Sequence, residues 1–176
     1  HYVRLPRAQW SDQGFEYRFS LGVLKLHNGQ ALSYSPLEVG YRFRDGWRMR
    51  LGLEAFYYDG MDSDTSTGPT SQLFYYQMED IRLSVLYEWF RHHSLRPFAG
   101  VTLESVFGTR QLAVNPTPDT GESFESAYSF EAPGAEAGLE YRGGPSWSVS
   151  WEARYVQGFG SWANLAGSDL GWHYLF

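Results

Sequence analysis

Hydrophobic and polar residues alternate with a period of two along most of this chain, which is typical of β-strands that have one apolar face. In the first such segment Phe15, Tyr17 and Phe19 alternate with Glu16 and Arg18. The same alternation predicts eight strands, over residues 15–26, 36–44, 47–58, 81–90, 97–107, 134–142, 147–156 and 170–176.

The connections between these segments are alternately short and long. Asp45-Gly46, residues 91–95 and residues 143–145 are short turns, and an Asp-Gly pair is a strong hairpin signal. The longer polar links are residues 27–35, 60–72, 110–129 and 158–168. In a closed up-and-down barrel all short turns lie at one end and all long loops at the other. We therefore predict one all-β barrel domain over residues 14–176, with an extension over residues 1–13.

Composition narrows the possible functions. The 176 residues carry a net charge of −6 without a basic tail or patch, so the sequence gives no indication of nucleic-acid binding. Cysteine is absent, which excludes disulfides and thiolate metal sites. No apolar segment has the length that a membrane-spanning helix needs. The chain opens at His1 without an apolar leader, which predicts that an export signal has been removed. No cofactor and no metal site are predicted.

The apolar face of the predicted strands is layered. Aliphatic residues such as Leu51, Leu83 and Leu139 take the middle of the strands, and aromatic residues gather toward the strand ends. Aromatic girdles around an apolar band are typical of a protein that crosses two membrane interfaces. The apolar face is therefore predicted to point outward, toward lipid. The predicted interface residues are Trp47, Trp89, Trp147, Trp172, Tyr174 and Phe176.

The polar face is ionic and balanced in charge. The chain contains a single lysine, Lys25, among its 14 basic residues, and arginine dominates where ion pairs are buried and bidentate. Equal numbers of arginine and glutamate suit an internal lattice, because an unpaired buried charge is costly. The predicted lattice comprises Glu16, Arg18, Glu38, Arg42, Arg44, Arg48, Arg50, Glu54, Arg82, Glu88, Glu104, Glu136, Glu140, Arg142, Glu152 and Arg154.

The sequence ends in Tyr174-Leu175-Phe176, and this alternating aromatic ending resembles the insertion signal of outer-membrane β-barrels. Over residues 14–176 the pattern resembles the small eight-stranded barrels of the OmpA/OmpX type. That resemblance implies an antiparallel up-and-down transmembrane barrel in the outer membrane of a Gram-negative bacterium, with short periplasmic turns, longer extracellular loops and a plugged lumen. It also implies contact with outer-membrane lipid and lipopolysaccharide, and with the barrel-assembly machinery through Phe176.

Three functions fit this pattern. The first is a structural or protein-interaction component of the cell envelope, whose surface loops bind a partner protein and which has no catalytic activity. The second is a hydrolase that modifies lipid A or phospholipid, with His27, Ser168 and Asp169 as a Ser-His-acid group at the barrel rim. The third is a narrow ion channel through the Arg/Glu lattice. Three measurements separate these functions. If the first holds, removal of the loops abolishes partner binding. Unchanged lipid composition in a His27→Ala variant counts against the hydrolase, and conductance in planar bilayers indicates the channel.

Overall fold

The computed structural model describes residues 13–26, 29–62, 72–114, 122–157 and 165–175. No helix long and apolar enough to cross a membrane is found among them. The described residues form eight strands. These are β1 (Gly14–Leu26), β2 (Gly29–Arg42), β3 (Trp47–Asp62), β4 (Gln72–Glu88), β5 (Leu95–Val114), β6 (Glu122–Arg142), β7 (Trp147–Val156) and β8 (Leu165–Leu175).

The strands pair with their neighbours in chain order and close into a barrel. Closure joins β1 to β8 antiparallel, with Tyr17 opposite Tyr174 and Leu21 opposite Leu170. Where all eight strands pair, a closed barrel of this kind satisfies the backbone hydrogen bonds of every strand, which a strand in lipid requires. The predicted fold class, an eight-stranded antiparallel up-and-down barrel, is confirmed.

The wall of the barrel has an exposed apolar side and a buried polar side. Along β7 exposed and buried residues alternate in nearly every step, because successive side chains of a strand point to opposite faces. Leu51, Leu83 and Leu139 are exposed on the outside, whereas Arg50 and Glu38 are buried inside. This arrangement is the reverse of a soluble barrel, in which the apolar side chains fill the interior.

Three short turns lie at one end of the barrel, which we call the turn end; the opposite end is the loop end. At the β2–β3 turn Gly46 has a φ of 99°, a left-handed conformation that glycine adopts at little cost. Its carbonyl accepts a hydrogen bond of 2.9 Å from the amide of Glu88. This bond fastens the turn to the next strand.

Six strands, β2 to β6 and β8, are at least four residues longer than the sequence alternation indicated. β2 begins at Gly29, inside the predicted link 27–35, and β3 continues to Asp62. β5 continues to Val114 and β6 begins at Glu122, so much of the predicted link 110–129 is strand. The prediction was wrong here because the contrast between apolar and polar positions fades in these stretches, whereas ladder hydrogen bonds continue as long as two strands stay paired.

The register of β2 shifts by one residue against both of its neighbours. Residues 35–38 of β2 lie opposite Arg18 to Ser20 of β1, and residues 34–37 lie opposite Leu53 to Ala55 of β3. Both stretches contain Pro36, which has no N–H and fits a bulge better than a regular ladder. The Ser35 hydroxyl donates a hydrogen bond of 2.7 Å to the Leu53 carbonyl across the bulge.

Candidate functional site

The lumen holds a buried Arg/Glu network, which begins with a cluster at the turn end. Arg42 on β2 contacts three carboxylates, at 2.7 Å from Glu16, 3.0 Å from Glu88 and 2.7 Å from Glu140. Arg48 on β3 contacts the same three, with 2.7 Å to Glu88 and 3.3 Å to Glu16. The five side chains come from five strands, so they tie opposite sides of the barrel together.

Two further side chains extend this cluster. Arg96 on β5 donates to Glu88 at 2.8 Å, and it also donates to the His93 carbonyl in the adjacent turn. His173 on β8 lies with one ring nitrogen 2.8 Å from the Ser150 hydroxyl and the other 3.6 Å from Glu16. These contacts hold the β4–β5 turn and the last strand against the network.

The middle cluster is organised around Glu38 on β2. Three arginines reach this carboxylate, with distances of 3.0 Å from Arg18, 3.0 Å from Arg50 and 2.7 Å from Arg82. Arg18 and Arg50 also share Glu152 on β7, at 2.6 Å and 2.8 Å. Because every guanidinium here has several carboxylate partners, the cluster offsets the cost of burying charge.

At the loop end of the lumen the charges are no longer balanced. One nitrogen of Arg154 lies 2.7 Å from Glu54, 3.2 Å from Glu104 and 4.0 Å from Asp80. Three carboxyl groups therefore surround a single guanidinium. Within the described part of the chain, eight buried arginines face ten buried carboxyl groups, counting Asp80 and Asp169 with the eight glutamates.

Aromatic and apolar side chains fill the space that the ion pairs leave. The guanidinium carbons of Arg48 and Arg50 lie 5.4 Å and 5.7 Å from the centre of the Phe98 ring, which is within the range of cation–π contact. Gly138 makes room for this ring, since a Cβ there would lie 2.6 Å from the Phe98 Cζ. Eight strands leave an interior that side chains can fill, and here they do so in layers.

The structure places the sixteen lattice residues predicted from sequence in two different environments. All of them are buried inside the barrel except Arg44, which is exposed. The prediction was wrong for Arg44 because β2 ends at Arg42. The amide of Gly46 then bonds to the Phe43 carbonyl, so the chain has already turned and the alternation no longer assigns a face.

Three buried charged residues were absent from the predicted lattice: Asp169, which had been assigned to the catalytic group, and Arg96 and Asp80. Arg96 was assigned to the boundary of a turn, and Asp80 lay one residue before a predicted strand. Both are buried, at 2% and 1% exposure. The alternation of the sequence could have identified both residues. Arg96 lies four residues from Gly100 and Asp80 two residues from Arg82, so both fall on the face predicted to be polar.

The hydrolase hypothesis required His27, Ser168 and Asp169 to meet at the rim. His27 lies outside the described residues. Ser168 is on the outer face, where its hydroxyl accepts a hydrogen bond of 2.8 Å from the Trp151 indole. Asp169 is inside the lumen and pairs with Arg18. Adjacent residues of a strand face opposite sides, so the structure does not bring Ser168 and Asp169 together.

The predicted interface aromatics lie on the outside of the barrel where the structure describes their side chains. Trp47, Trp89, Trp147, Trp172 and Tyr174 are exposed, and Phe176 lies outside the described residues. Trp47 and Trp89 flank Tyr87 in edge-to-face contacts, with ring centres 5.2 Å and 5.4 Å apart. Together with Phe15, Tyr41 and Phe43, they form part of a girdle near the turn end.

The wall of the barrel is uneven in height at the loop end. β7 ends opposite Gly134 of β6, but β6 continues for twelve more residues to Glu122, paired with β5 throughout. β3 and β4 pair up to Asp62 and Gln72, and β4 pairs with β5 up to Val114. We call this four-stranded extension, residues 57–62, 72–79, 107–114 and 122–132, the high wall. Sequence reasoning assigned most of it to loops.

Two exposed carboxylates mark the base of the high wall. Glu79 and Glu131 are exposed on the outer face, where the residues below them, such as Ile81 and Leu83, are apolar. A charged side chain is unfavourable within the apolar part of a membrane. The apolar band therefore ends near these two residues, and the high wall stands beyond it.

Comparison with known proteins agrees with this architecture. A family model described as "Outer membrane protein beta-barrel domain" matches residues 8–173. Among curated proteins, none matches this sequence.

Solved structures share the fold at low sequence identity. OprG from Pseudomonas aeruginosa superimposes with a TM-score of 0.62 and 11% identity, covering 94% of this chain and 96% of its own. Ail from Yersinia pestis, in complex with the heparin analogue sucrose octasulfate, has a TM-score of 0.59 and 12% identity, with 93% and 97% coverage. The N-terminal barrel of OprF from Pseudomonas aeruginosa gives 0.55 and 13%, with 92% and 99% coverage.

Proposed function

The chain belongs to the outer membrane protein beta-barrel domain family, and on this premise we propose that it is a protein-interaction component of the cell envelope whose high wall binds a partner outside the membrane. Its location is the outer membrane, which it crosses with eight strands. Lipid and lipopolysaccharide are the surroundings of its apolar outer face.

The observation that carries this proposal is the contrast between a filled lumen and an extended wall. The buried network of Arg42, Arg50 and their partners occupies the interior, so the lumen offers a solute little space. By contrast, β5 and β6 have 20 and 21 residues, whereas a tilted strand needs about 9–11 residues to cross a membrane. The part of these strands that exceeds this length lies outside the membrane, where surface elements commonly carry the function of a protein.

Charge favours a cationic partner. Glu79 and Glu131 are exposed at the base of the high wall, and the sequence has no arginine or lysine at the odd-numbered positions of its four strand segments. Ail, which has a similar fold, is known in complex with the polyanion sucrose octasulfate. The exposed carboxylates of Glu79 and Glu131 would repel such a ligand, so we propose a partner with complementary positive charge.

The test is to shorten the high wall without disturbing the membrane part. Arg110 and Ser126 are directly paired, so replacing residues 111–125 by Asn-Gly closes the hairpin with a two-residue turn. We expect the shortened protein to insert and fold, which heat-dependent gel mobility reports, but to lose the proteins that co-purify with the native barrel from outer membranes.

A matched control makes the result specific. Replacing the seven residues 158–164 by a Gly-Ser linker of equal length alters the connection between β7 and β8 and leaves the high wall intact. Partner binding should survive in this variant. If the shortened hairpin retains every partner of the native protein, the high wall is not the binding element.

We also propose that the alternating aromatic residues Trp172, Tyr174 and Phe176 are recognised by the barrel-assembly machinery. Trp172 and Tyr174 lie on the outer face of β8, at 53% and 50% exposure, so they are available before the barrel closes. A Phe176→Ala variant should assemble more slowly than wild type in cells. Equal assembly rates in a pulse-chase measurement of folded and unfolded protein would contradict this role.

A further inference from the structure

The β2–β3 and β4–β5 turns lie side by side at the turn end and form one surface, which we call the turn patch (residues 43–47 and 89–94). Arg91 joins the two turns, since a Cβ on Gly46 would lie 3.4 Å from the Arg91 Cδ. The aliphatic part of Arg91 therefore packs over the β2–β3 turn. Arg44 lies in that same turn, two residues before Gly46. Two arginines are thus presented by neighbouring turns.

The turn patch is positively charged, although the chain as a whole has a net charge of −6. Arg44 is exposed and Arg91 is half-buried. Among the described residues, no carboxylate forms an ion pair with either guanidinium. His92 and His93 are exposed beside them, and Asp45 is the one acidic residue of the patch. The charge of the two arginines can therefore act on an anion from outside the chain.

Phe90 gives the turn patch an apolar part. Its φ is 54°, a left-handed conformation that is unusual for a bulky residue. In an extended strand Phe90 would point away from the face of Trp89, whereas here both side chains are exposed, at 67% and 43%. The Phe90 ring meets the His93 ring edge-on, with centres 6.1 Å apart. Glycine would adopt this conformation at lower cost, so the strained position indicates a function of the Phe90 side chain itself.

The β4–β5 turn is fixed to the barrel by several hydrogen bonds. The His93 amide donates to the Phe90 carbonyl at 2.8 Å, which closes the turn on itself. The Arg142 amide of the neighbouring strand donates to the Ser94 carbonyl at 2.8 Å. From inside the lumen, the Arg96 side chain donates to the His93 carbonyl at 2.9 Å. Because these groups are already held in place, a ligand that binds there orders little further chain.

The aromatic girdle indicates the depth of the turn patch in the membrane. Trp89 belongs to this girdle through its contact with Tyr87, and Arg91 follows Trp89 by two positions. Aromatic girdles lie at the level of the lipid headgroups, where arginine binds phosphate oxygens with paired N–H donors. We propose that Arg44 and Arg91 bind the phosphate of one anionic phospholipid of the periplasmic leaflet, with Phe90 against its glycerol and upper acyl chain. This site lies at the opposite end of the barrel from the high wall and is independent of the proposed function.

Native mass spectrometry of the intact barrel, released from detergent micelles, tests the proposal. The probe is phosphatidylglycerol, and phosphatidylcholine with the same acyl chains is the zwitterionic control. We expect one phosphatidylglycerol molecule to bind more tightly than phosphatidylcholine. Arg44→Gln and Arg91→Gln should each weaken phosphatidylglycerol binding about fivefold, because one arginine close to anionic lipid contributes roughly that factor. Binding of phosphatidylcholine, whose choline cancels the phosphate charge, should change by less than about twofold in both variants.

Two matched variants separate the charge and the ring from the shape of the turns. Asp45→Asn removes a negative charge from the same turn as Arg44, so it should strengthen phosphatidylglycerol binding, whereas damage to the turn would weaken it. Phe90→Gly keeps the left-handed conformation and removes the ring. It should weaken both lipids by a similar factor, because the lost contact is apolar and does not depend on headgroup charge. Heat-dependent gel mobility in zwitterionic lipid shows that each variant is folded.

Three results would overturn the inference. The first is an unchanged dissociation constant for phosphatidylglycerol when both arginines are replaced by glutamine. The second is a loss in Asp45→Asn as large as that in Arg44→Gln, which would mean that turn shape and not charge governs binding. The third concerns the source of the phosphate: glycerol 1-phosphate should fail to displace the lipid, and displacement at concentrations similar to that of the lipid would identify a site for soluble phosphate esters instead.

Discussion

Glu38 shows at the scale of one residue how the lumen tolerates buried charge. Its carboxylate, 1% exposed, is contacted by Arg18, Arg50 and Arg82. Glu38→Ala would leave these buried guanidinium groups with one partner fewer, which typically costs about 3–5 kcal/mol for a buried pair. We expect the urea-induced unfolding of the barrel in lipid vesicles to show a loss of this size.

Arg44 provides the matched control for that measurement. It belongs to the same residue class and lies two positions after buried Arg42, but it is exposed in a turn. Arg44→Ala should change the free energy of unfolding by less than about 0.5 kcal/mol. Similar losses for Glu38→Ala and Arg44→Ala would mean that the network does not govern stability.

The same two residues show how far a side chain's location follows from the sequence. Alternation assigns a face only while the chain remains extended, and it assigned Glu38 and Arg42 to the interior, where they lie. It failed at Arg44 because the strand end is encoded in the turn at Gly46, not in the periodicity. The ion-pair partners could not be derived, because they join strands far apart in sequence, such as Arg42 and Glu140.

At the scale of the strand, β7 offers two tryptophans on one face at different heights. Trp147 starts the strand and Trp151 lies four residues further, both about half exposed on the outer side. At about 3.3 Å per residue and a tilt of about 40°, Trp151 lies about 10 Å deeper in the membrane. It pairs with Leu139 and Leu170 in the aliphatic band.

Depth-dependent fluorescence quenching tests this placement. In single-tryptophan variants with the other tryptophans replaced by phenylalanine, lipids brominated near the chain ends should quench Trp151 more than Trp147. Lipids brominated near the headgroup should reverse the order. Equal quenching by both lipids would contradict the assignment of the girdle to the interface.

The strands also separate what periodicity can predict from what it cannot. β7 was predicted with its observed bounds, because every second residue from Trp147 to Tyr155 is apolar and the others are polar. The upper part of β6 was missed because its sequence does not keep the alternation: Phe124 and Tyr128 stand at even-numbered positions, which further along β6 are held by Glu136 and Glu140. The pairing of those residues with Leu112 and Gly108 depends on the partner strand, which a local pattern does not contain.

At the scale of the whole molecule, the two faces of one sheet have different surroundings, lipid on the outside and the lumen on the inside. The outer face needs apolar residues because lipid surrounds it, and the lumen then takes the charges that a soluble protein would place on its surface. Those charges hold the strands together across the barrel, from Arg48 on β3 to Glu140 on β6. The consequence is a rigid base from which the high wall can extend without support from β7 or β8.

The filled, charged lumen predicts that the barrel does not conduct ions. Layers of buried arginine and glutamate occupy the lumen, with Leu86 and Phe98 packed between them, and an ion could pass only if several ion pairs opened together. Purified protein in planar bilayers should therefore give a flat current trace at voltages where a porin with a water-filled lumen, measured in the same bilayers, shows discrete steps. Reproducible conductance steps that persist in the variant with residues 111–125 replaced would establish a path through the network and make the lumen, instead of the high wall, the functional part of the molecule.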